Sequence, residues 1–213
     1  MATPKEIFYE KRGTQLVKNL QSRHFDAYYC ATKEEALAKA LELIPEGSTV
    51  GWGGTMTASA MGLQDAIRNG NYKALDRDAC ATMEEREKVQ RDIFFADAFI
   101  TGANGLSLDG QMVNIDGTGN RVAPIIYGPQ SVIVVAGMNK VEDTLADAMN
   151  RARTIAAPMN KQRFEALQTP CAVTGSCADC KSPQSICNQI VITRNCRPAG
   201  RIKFIIIGED LGF

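Results

Sequence analysis

The sequence predicts an α/β fold, with helices covering both faces of a mainly parallel sheet. Two observations lead there. Apolar runs such as "SVIVVAG" and "FIII" are near-continuous rather than alternating, which is how strands buried on both faces read. Amphipathic helical stretches separate successive runs, as crossover connections between parallel strands require. A third feature stands apart from this core: four cysteines fall within "CAVTGSCADCKSPQSIC", in a lobe spanning about residues 168–198.

The elements follow in order. Thr3-Pro4-Lys5-Glu6 is a helix start, with Thr3 as cap, Pro4 at the first helical position and Glu6 completing a capping box. That helix runs to about Ser22, and "HFDAYYC" is a short strand. "TKEEALAKALELI" is an amphipathic helix capped by Thr32, with Leu37, Leu41 and Ile44 on one face, ended by Pro45 and Gly47. "STVGW" is a buried strand leading into a glycine-rich turn and a helix that ends at Gly70. "ATMEEREKVQRDIFFAD" is a capped helix and "AFITG" a buried strand. "LSLDGQMVNID" is a hairpin around Asp109-Gly110, because Asp-Gly supplies the positive φ angles of a tight turn. "SVIVVAG" is the most apolar strand, and "VEDTLADAMNRARTIAAP" is a helix ending at Pro158. "QIVITR" and "RIKFIIIGE", joined by the turn-rich "NCRPAG", are the last two strands. No linker divides the chain, so residues 1–213 are expected to form a single domain with the cysteine lobe inside it.

Composition narrows the function. Lys plus Arg and Asp plus Glu number 24 each. That balance argues against nucleic acid or an anionic membrane as a partner. The opening "MATPKEIFYEKRG" has no apolar h-region, and the longest apolar runs are too short to span a bilayer. A cytoplasmic location is the expectation. There, disulfides are disfavoured, and seven cysteines, an odd number, fit a disulfide framework poorly.

Two stretches carry candidate binding groups. In "VGWGGTMT" a strand enters a glycine-rich turn and a helix leaves it, so Gly53 and Gly54 let backbone amides converge where Thr55 and Thr57 add hydroxyls. The pattern is neither a Walker loop nor a dinucleotide fingerprint; the alternative is a turn whose glycines only permit close packing. In "TGANGLSLDGQMVNIDGTGNRVAPIIYGP", Asn104, Asp109, Asn114, Asp116, Asn120 and Arg121 crowd a strand end. Arg121 suits a carboxylate or phosphate held bidentately, and Asn120 suits a substrate amide or hydroxyl. Asp109 and Asp116 are the candidate catalytic acids, although Asp109 is equally well explained as the first residue of a hairpin turn. His24, the only histidine, lies outside these motifs, so a histidine triad is poorly supported.

The cysteine spacing is C-x5-C-x2-C-x6-C. Cys177 and Cys180 can place two thiolates on one metal from one tight turn, with Cys171 and Cys187 closing the set and Cys196 as a spare. Zinc and an iron–sulfur cluster both accept four thiolates. Spacing alone leans slightly to zinc. Cys30 and Cys80 are isolated packed or free thiols.

Together "GWGGTMT", "TGANGLSLDGQMVNIDGTGNRVAPIIYGPQSVIVVAGMNKV", "RARTIAAPMNKQR", the cysteine stretch and "IIIGEDLGF" resemble the LUD-domain family of lactate-utilisation proteins, formerly a domain of unknown function, over nearly the whole chain. The resemblance implies a three-layer α/β sandwich similar to ribose-5-phosphate isomerase, glucosamine-6-phosphate deaminase and CoA transferases. It implies a part in oxidising L-lactate or a related 2-hydroxy acid, and it moves the cysteines toward a [4Fe–4S] cluster. The partners it implies are a small anionic substrate and redox subunits, with a homo-oligomer left open. One departure matters. Sugar-phosphate isomerases of this fold carry an acid after a Gly-Ala pair, whereas Gly102-Ala103 is followed here by the amide Asn104, which cannot act as a general base. Asp109 or Asp116 would have to substitute. No match to a CoA-transferase glutamate is present. An isomerase-like or ligand-binding protein with structural zinc is the alternative reading.

Overall fold

A computed structural model describes residues 1–213. Helix α1 (Pro4–Ser22) begins with the expected capping box between Thr3 and Glu6 and leads to β1 (Asp26–Cys30). Helix α2 (Lys33–Leu43) is capped by Thr32. It buries Ala36 and Ala40 fully, while Leu37 and Leu41 flank them half-buried. After β2 (Thr49–Trp52) the expected single helix is two, α3 (Met56–Ala60) and α4 (Leu63–Asn69). Gly62 breaks it, at φ +74, a left-handed conformation that glycine adopts without penalty. A short edge strand, β3 (Lys73–Leu75), then precedes α5 (Met83–Asp92).

Strand β4 (Ala98–Gly102) is followed by the hairpin β5 (Gly105–Ser107) and β6 (Met112–Asp116). Helix α6 (Val122–Ile126), strand β7 (Ser131–Gly137) and the two-residue β8 (Val141–Glu142) come next. The helix expected to stop at Pro158 continues. Helix α7 (Leu145–Arg151) widens into a π-helical turn over Ala152–Ala156 and resumes as α8 (Ala157–Lys161). Pro158 sits in the first turn of α8, where its missing N–H costs little, and the wide turn before it absorbs the mismatch. Helix α9 (Pro170–Thr174), β9 (Gln189–Thr193) and β10 (Ile202–Ile207) complete the chain.

Six strands form one sheet in the order β1-β10-β7-β4-β2-β3, parallel throughout. Its two faces are read off alternate residues of the central strands. Val132, Val134, Phe204 and Ile206 point to the side covered by Leu16 and Leu20 of α1. Ile133, Val135, Ile205 and Ile207 point to the side covered by α2, α3 and α4. The remaining strands make a second, mixed sheet in the order β8-β5-β6-β9. It shares the α1-side core through Leu106 and Met112, and turns Val113 and Ile115 toward Ala148 and Ala152 of the α7 segment.

The approach of α7 to β5 is close enough to test. A Cβ on Gly105 would lie 2.4 Å from the backbone oxygen of Ala148. Neither backbone can yield without moving its element, so Gly105→Ala is expected to cost about 2 kcal/mol or more. A urea denaturation midpoint that does not move would mean this packing is looser than described.

Candidate functional site

The carboxyl ends of β2, β3, β4 and β7 open onto one cleft of about 400 Å³. This edge is where ligands settle in open parallel sheets. Gly54 and Thr55 arrive from β2, Arg77 and Asp78 from β3, Asn104 from β4, and Lys140 from just beyond β7. The end of β6 contributes Asp116 and the loop after it Asn120 and Arg121, while Arg86 of α5 and Arg163 stand at the walls.

The glycine pair has a packing cause. A Cβ on Gly53 would meet Cγ of Arg121 at 2.9 Å, and one on Gly54 would meet Nη2 of Arg77 at 3.2 Å. The absent side chains therefore leave space for the aliphatic stem of Arg121 and the guanidinium of Arg77 at the strand end. The threonines are spent locally: Thr55 Oγ1 accepts the Ala58 N–H as the cap of α3. Thr57 lies beneath the cleft wall, where its hydroxyl donates to the Leu211 carbonyl and accepts from Lys140 Nζ at 3.0 Å.

In the polar middle, Asn104 Oδ1 accepts from the Ile115 N–H at 2.9 Å and from Arg121 Nη2 at 2.8 Å. Arg121 Nη2 also donates to the Ile115 carbonyl. Asp116 turns both oxygens to backbone: Oδ1 accepts from Gly117, and Oδ2 from Arg121 and Val122, all within 3.0 Å. Asn120 accepts from Thr118. Asn114 is buried and donates to the Gly102 carbonyl, outside the cleft lining. Asp109 is not in the cleft. It sits in the hairpin turn, bonded to Ser107 and Gln111 and paired with Arg23 at 2.7 Å. The structure thus gives Asp109 its turn role and leaves Asp116 as the candidate acid at the cleft.

The charge balance is uneven. Of the charged side chains lining the cleft, Arg77, Arg86, Arg121, Lys140 and Arg163 are basic and Asp78 and Asp116 acidic. Lys140 is buried, and its sole hydrogen bond is to the Thr57 hydroxyl. Burial first, then the charges of Arg151 and Arg121, lower its amine to about 7. Burial likewise lowers Arg121, and lowers Arg77 against the pull of Asp78, with Arg86 and Arg163 adding repulsion. Arg77 Nε has no hydrogen-bond partner; its nearest carboxylate oxygen, on Asp78, lies 3.7 Å away. Sequence reasoning missed Arg77, Arg86, Lys140 and Arg163. The signal for Arg77 and Lys140 was position, a few residues past the carboxyl end of a parallel strand.

Among the cysteines, Cys171 and Cys180 are half-buried and Cys177 and Cys187 exposed. Although Cys187 is exposed as a residue, partial enclosure of its sulfur by the lobe, then the charges of Cys171, Cys177 and Cys180, push its thiol up to about 11. Cys171, Cys177 and Cys180 therefore each lie within electrostatic reach of Cys187, although no three stand as a ready-made metal site. Cys196 is elsewhere. It is buried in the core under α1, with Sγ held between the Pro198 carbonyl and the Ile202 N–H, and does not serve as the spare ligand of this group. Ile186, next to Cys187, lines the cleft.

Fold and site define a class: a six-stranded parallel α/β protein with a cationic cleft at the strand carboxyl ends. Within that class the chain belongs to the LUD-domain family, whose model matches residues 13–207. A DUF162-family protein from Deinococcus radiodurans has a similar structure, at TM-score 0.56 and 11% identity over 93% of this chain and 97% of that one. Looser likenesses are ribose-5-phosphate isomerase A from Neisseria gonorrhoeae (19% identity, 53% of this chain and 54% of that one, TM-score 0.34) and eIF2B delta from Chaetomium thermophilum (14% identity, 64% and 57%, TM-score 0.37). No match is found among curated proteins. No helix is long and apolar enough to cross a membrane.

Lys140 yields a stability prediction. The unfolded amine titrates near 10.5 and the folded one near 7. Between those values the unfolded chain binds the proton the folded chain has lost, so this residue's contribution to stability rises with pH across that window. Below about pH 7 the buried charge is carried in full. Lys140→Met should therefore raise stability by about 1–4 kcal/mol below pH 7, with the gain shrinking toward pH 10. A midpoint lowered by the substitution at acidic pH would show that the ammonium has a favourable partner.

Proposed function

We propose that the protein takes part in oxidation of L-lactate or a related 2-hydroxy acid, binding the small anion in the cleft between the Gly53-Gly54-Thr55 turn and the Asn120-Arg121 segment. The observation that carries this reading is Lys140: a buried ammonium whose only partner is a neutral hydroxyl. A buried cation without a carboxylate is costly unless an anion arrives to share the site. Arg121, within reach of the same space and fixed by Asn104 and the Ile115 carbonyl, supplies a preoriented second donor set. Asn120 and Thr55 border the remaining volume.

The cysteine lobe holds the redox group in this reading. Cys171, Cys177, Cys180 and Cys187 fit a metal, because the charges of the other three cysteines hold the proton on Cys187 and a cation bound among the thiolates would relieve that crowding. A [4Fe–4S] cluster, when bound, supplies one-electron transfer to partner subunits. The adjacency of Cys187 to the cleft-lining Ile186 supports placing that function beside the anion site. Zinc on the same thiolates would make the lobe structural instead.

Two measurements test this. L-Lactate and pyruvate should bind by titration calorimetry, more weakly as pH rises above about 7 and Lys140 loses its proton. Lys140→Met and Arg121→Ala should each weaken binding by roughly tenfold or more; unchanged affinity in both would sink the anion site. Protein purified without oxygen should carry iron and sulfide and lose both in Cys177→Ala and in Cys180→Ala. One zinc per chain and no iron would replace the redox role with a structural one.

A further inference from the structure

The cleft holds more positive charge than one carboxylate uses. Lys140 and Arg121 lie at the strand ends, one against Thr57 and the other against Gly53 and Asn104. Arg77, Arg86 and Arg163 form a second group, reached from β3, α5 and the segment after α8. Arg77 and Arg86 share one carboxylate, Asp78, at 3.7 and 3.2 Å. Arg163 pairs with none and bonds the amide oxygen of Asn160. The two groups meet where Arg77 crosses Gly54, and the charges of Arg86 and Arg163 are felt at Arg77 as that of Arg77 is felt at Arg121. The side chain of Arg77 is only 12% exposed, and its Nε is buried without a hydrogen bond. An unpaired donor of this kind marks a place where an acceptor is missing. The cleft volume of about 400 Å³ also exceeds what a three-carbon hydroxy acid fills.

We propose that the ligand of this cleft carries two anionic groups: a carboxylate received by Lys140 and Arg121, and a second anion, phosphate or carboxylate, received by Arg77, Arg86 and Arg163. This rests on the anion site argued above and refines its substrate class. The ligand is a 2-hydroxy acid extended by a charged group, rather than lactate itself. Arg77 supplies the inner donors of the second subsite, while Arg86 of α5 and Arg163 of the segment after α8 supply the outer ones. Asp78, shared between two guanidinium groups, sets their spacing and neutralises only part of their charge.

The test is a series of three ligands with the same 2-hydroxycarboxylate end: L-lactate with no second anion, malate with a carboxylate and 3-phosphoglycerate with a phosphate. Titration calorimetry at fixed ionic strength should show one or both of the ligands with two anionic groups binding roughly tenfold or more tighter than lactate. Which of them leads identifies the second group. In the double variant Arg86→Ala, Arg163→Ala, whose side chains are surface-accessible, the ratio of that ligand's affinity to that of lactate should fall toward one. Arg77→Gln should reduce the same ratio, and circular dichroism would establish that it still folds. Equal affinities for all three ligands in the unaltered protein overturn the second subsite and leave the anion site standing. So does a ratio that survives both variants. Binding of none of the three removes the anion site and this refinement together.

Discussion

The site depends on one constraint: positive charge is held at the carboxyl edge of the sheet with too few carboxylates to neutralise it. Strand β7 lies between β10 and β4 at the middle of a fully parallel sheet, and its residues are buried almost without exception. Lys140 follows a few residues beyond, so a buried central strand sets its position. Burial of that ammonium works against folding, and the apolar cores on both sheet faces have to offset it. Natural sites accept such costs when the strained group serves a ligand. The glycine pair belongs to the same arrangement, because Arg121 and Arg77 occupy the volume that side chains at 53 and 54 would fill.

The carboxylates near the cleft are committed elsewhere. Asp116 is the closest acid to Arg121 in sequence, yet it receives three backbone N–H groups and shapes the loop that starts α6. Asp78 is divided between two arginines. Asp109 is a turn residue paired with Arg23, on the hairpin. With Asn104 an amide bonded to Ile115 and Arg121, the cleft lacks a free carboxylate positioned as a base. Lys140 is the cleft group whose proton exchanges near neutral pH. The site is thus better suited to receiving negative charge than to abstracting protons through an acid pair.

The layered core was legible because its signals are local and redundant. Capping residues marked α1, α2 and α5, and continuous apolar runs marked β4, β7 and β10. Asp109-Gly110 marked the hairpin. Elements with weak local signals were not legible. Strand β3 is three residues at a sheet edge and α6 is a single turn; β9, the edge strand of the second sheet, is by contrast legible in "QIVITR". At the site, the sequence pointed to Gly53, Gly54, Asn104 and Arg121 but suggested amides converging on an anion. The glycines instead make room for arginines. That distinction lies in contacts between residues 23 to 68 positions apart, which no local pattern encodes.

The cysteine lobe and the cleft are joined by a few bonds. Strand β9 pairs with β6 up to Asp116, opposite Gln189. Asn188, next to Cys187, donates its N–H to the Asp116 carbonyl at 2.8 Å and its side-chain amide to the Gly117 carbonyl at 2.9 Å. Ile186 packs against Gly117, where an added Cβ would lie 3.2 Å from the Ile186 backbone. Asp116 in turn holds the Arg121 N–H. The path from a lobe cysteine to the cleft arginine thus runs through Asn188 and Asp116, with each link a backbone or backbone-anchored hydrogen bond. Backbone hydrogen bonds tie whole segments rather than single rotamers, so the bonded segments move together. The loop that aims Arg121 is accordingly braced by the lobe, and the order of one bears directly on the geometry of the other.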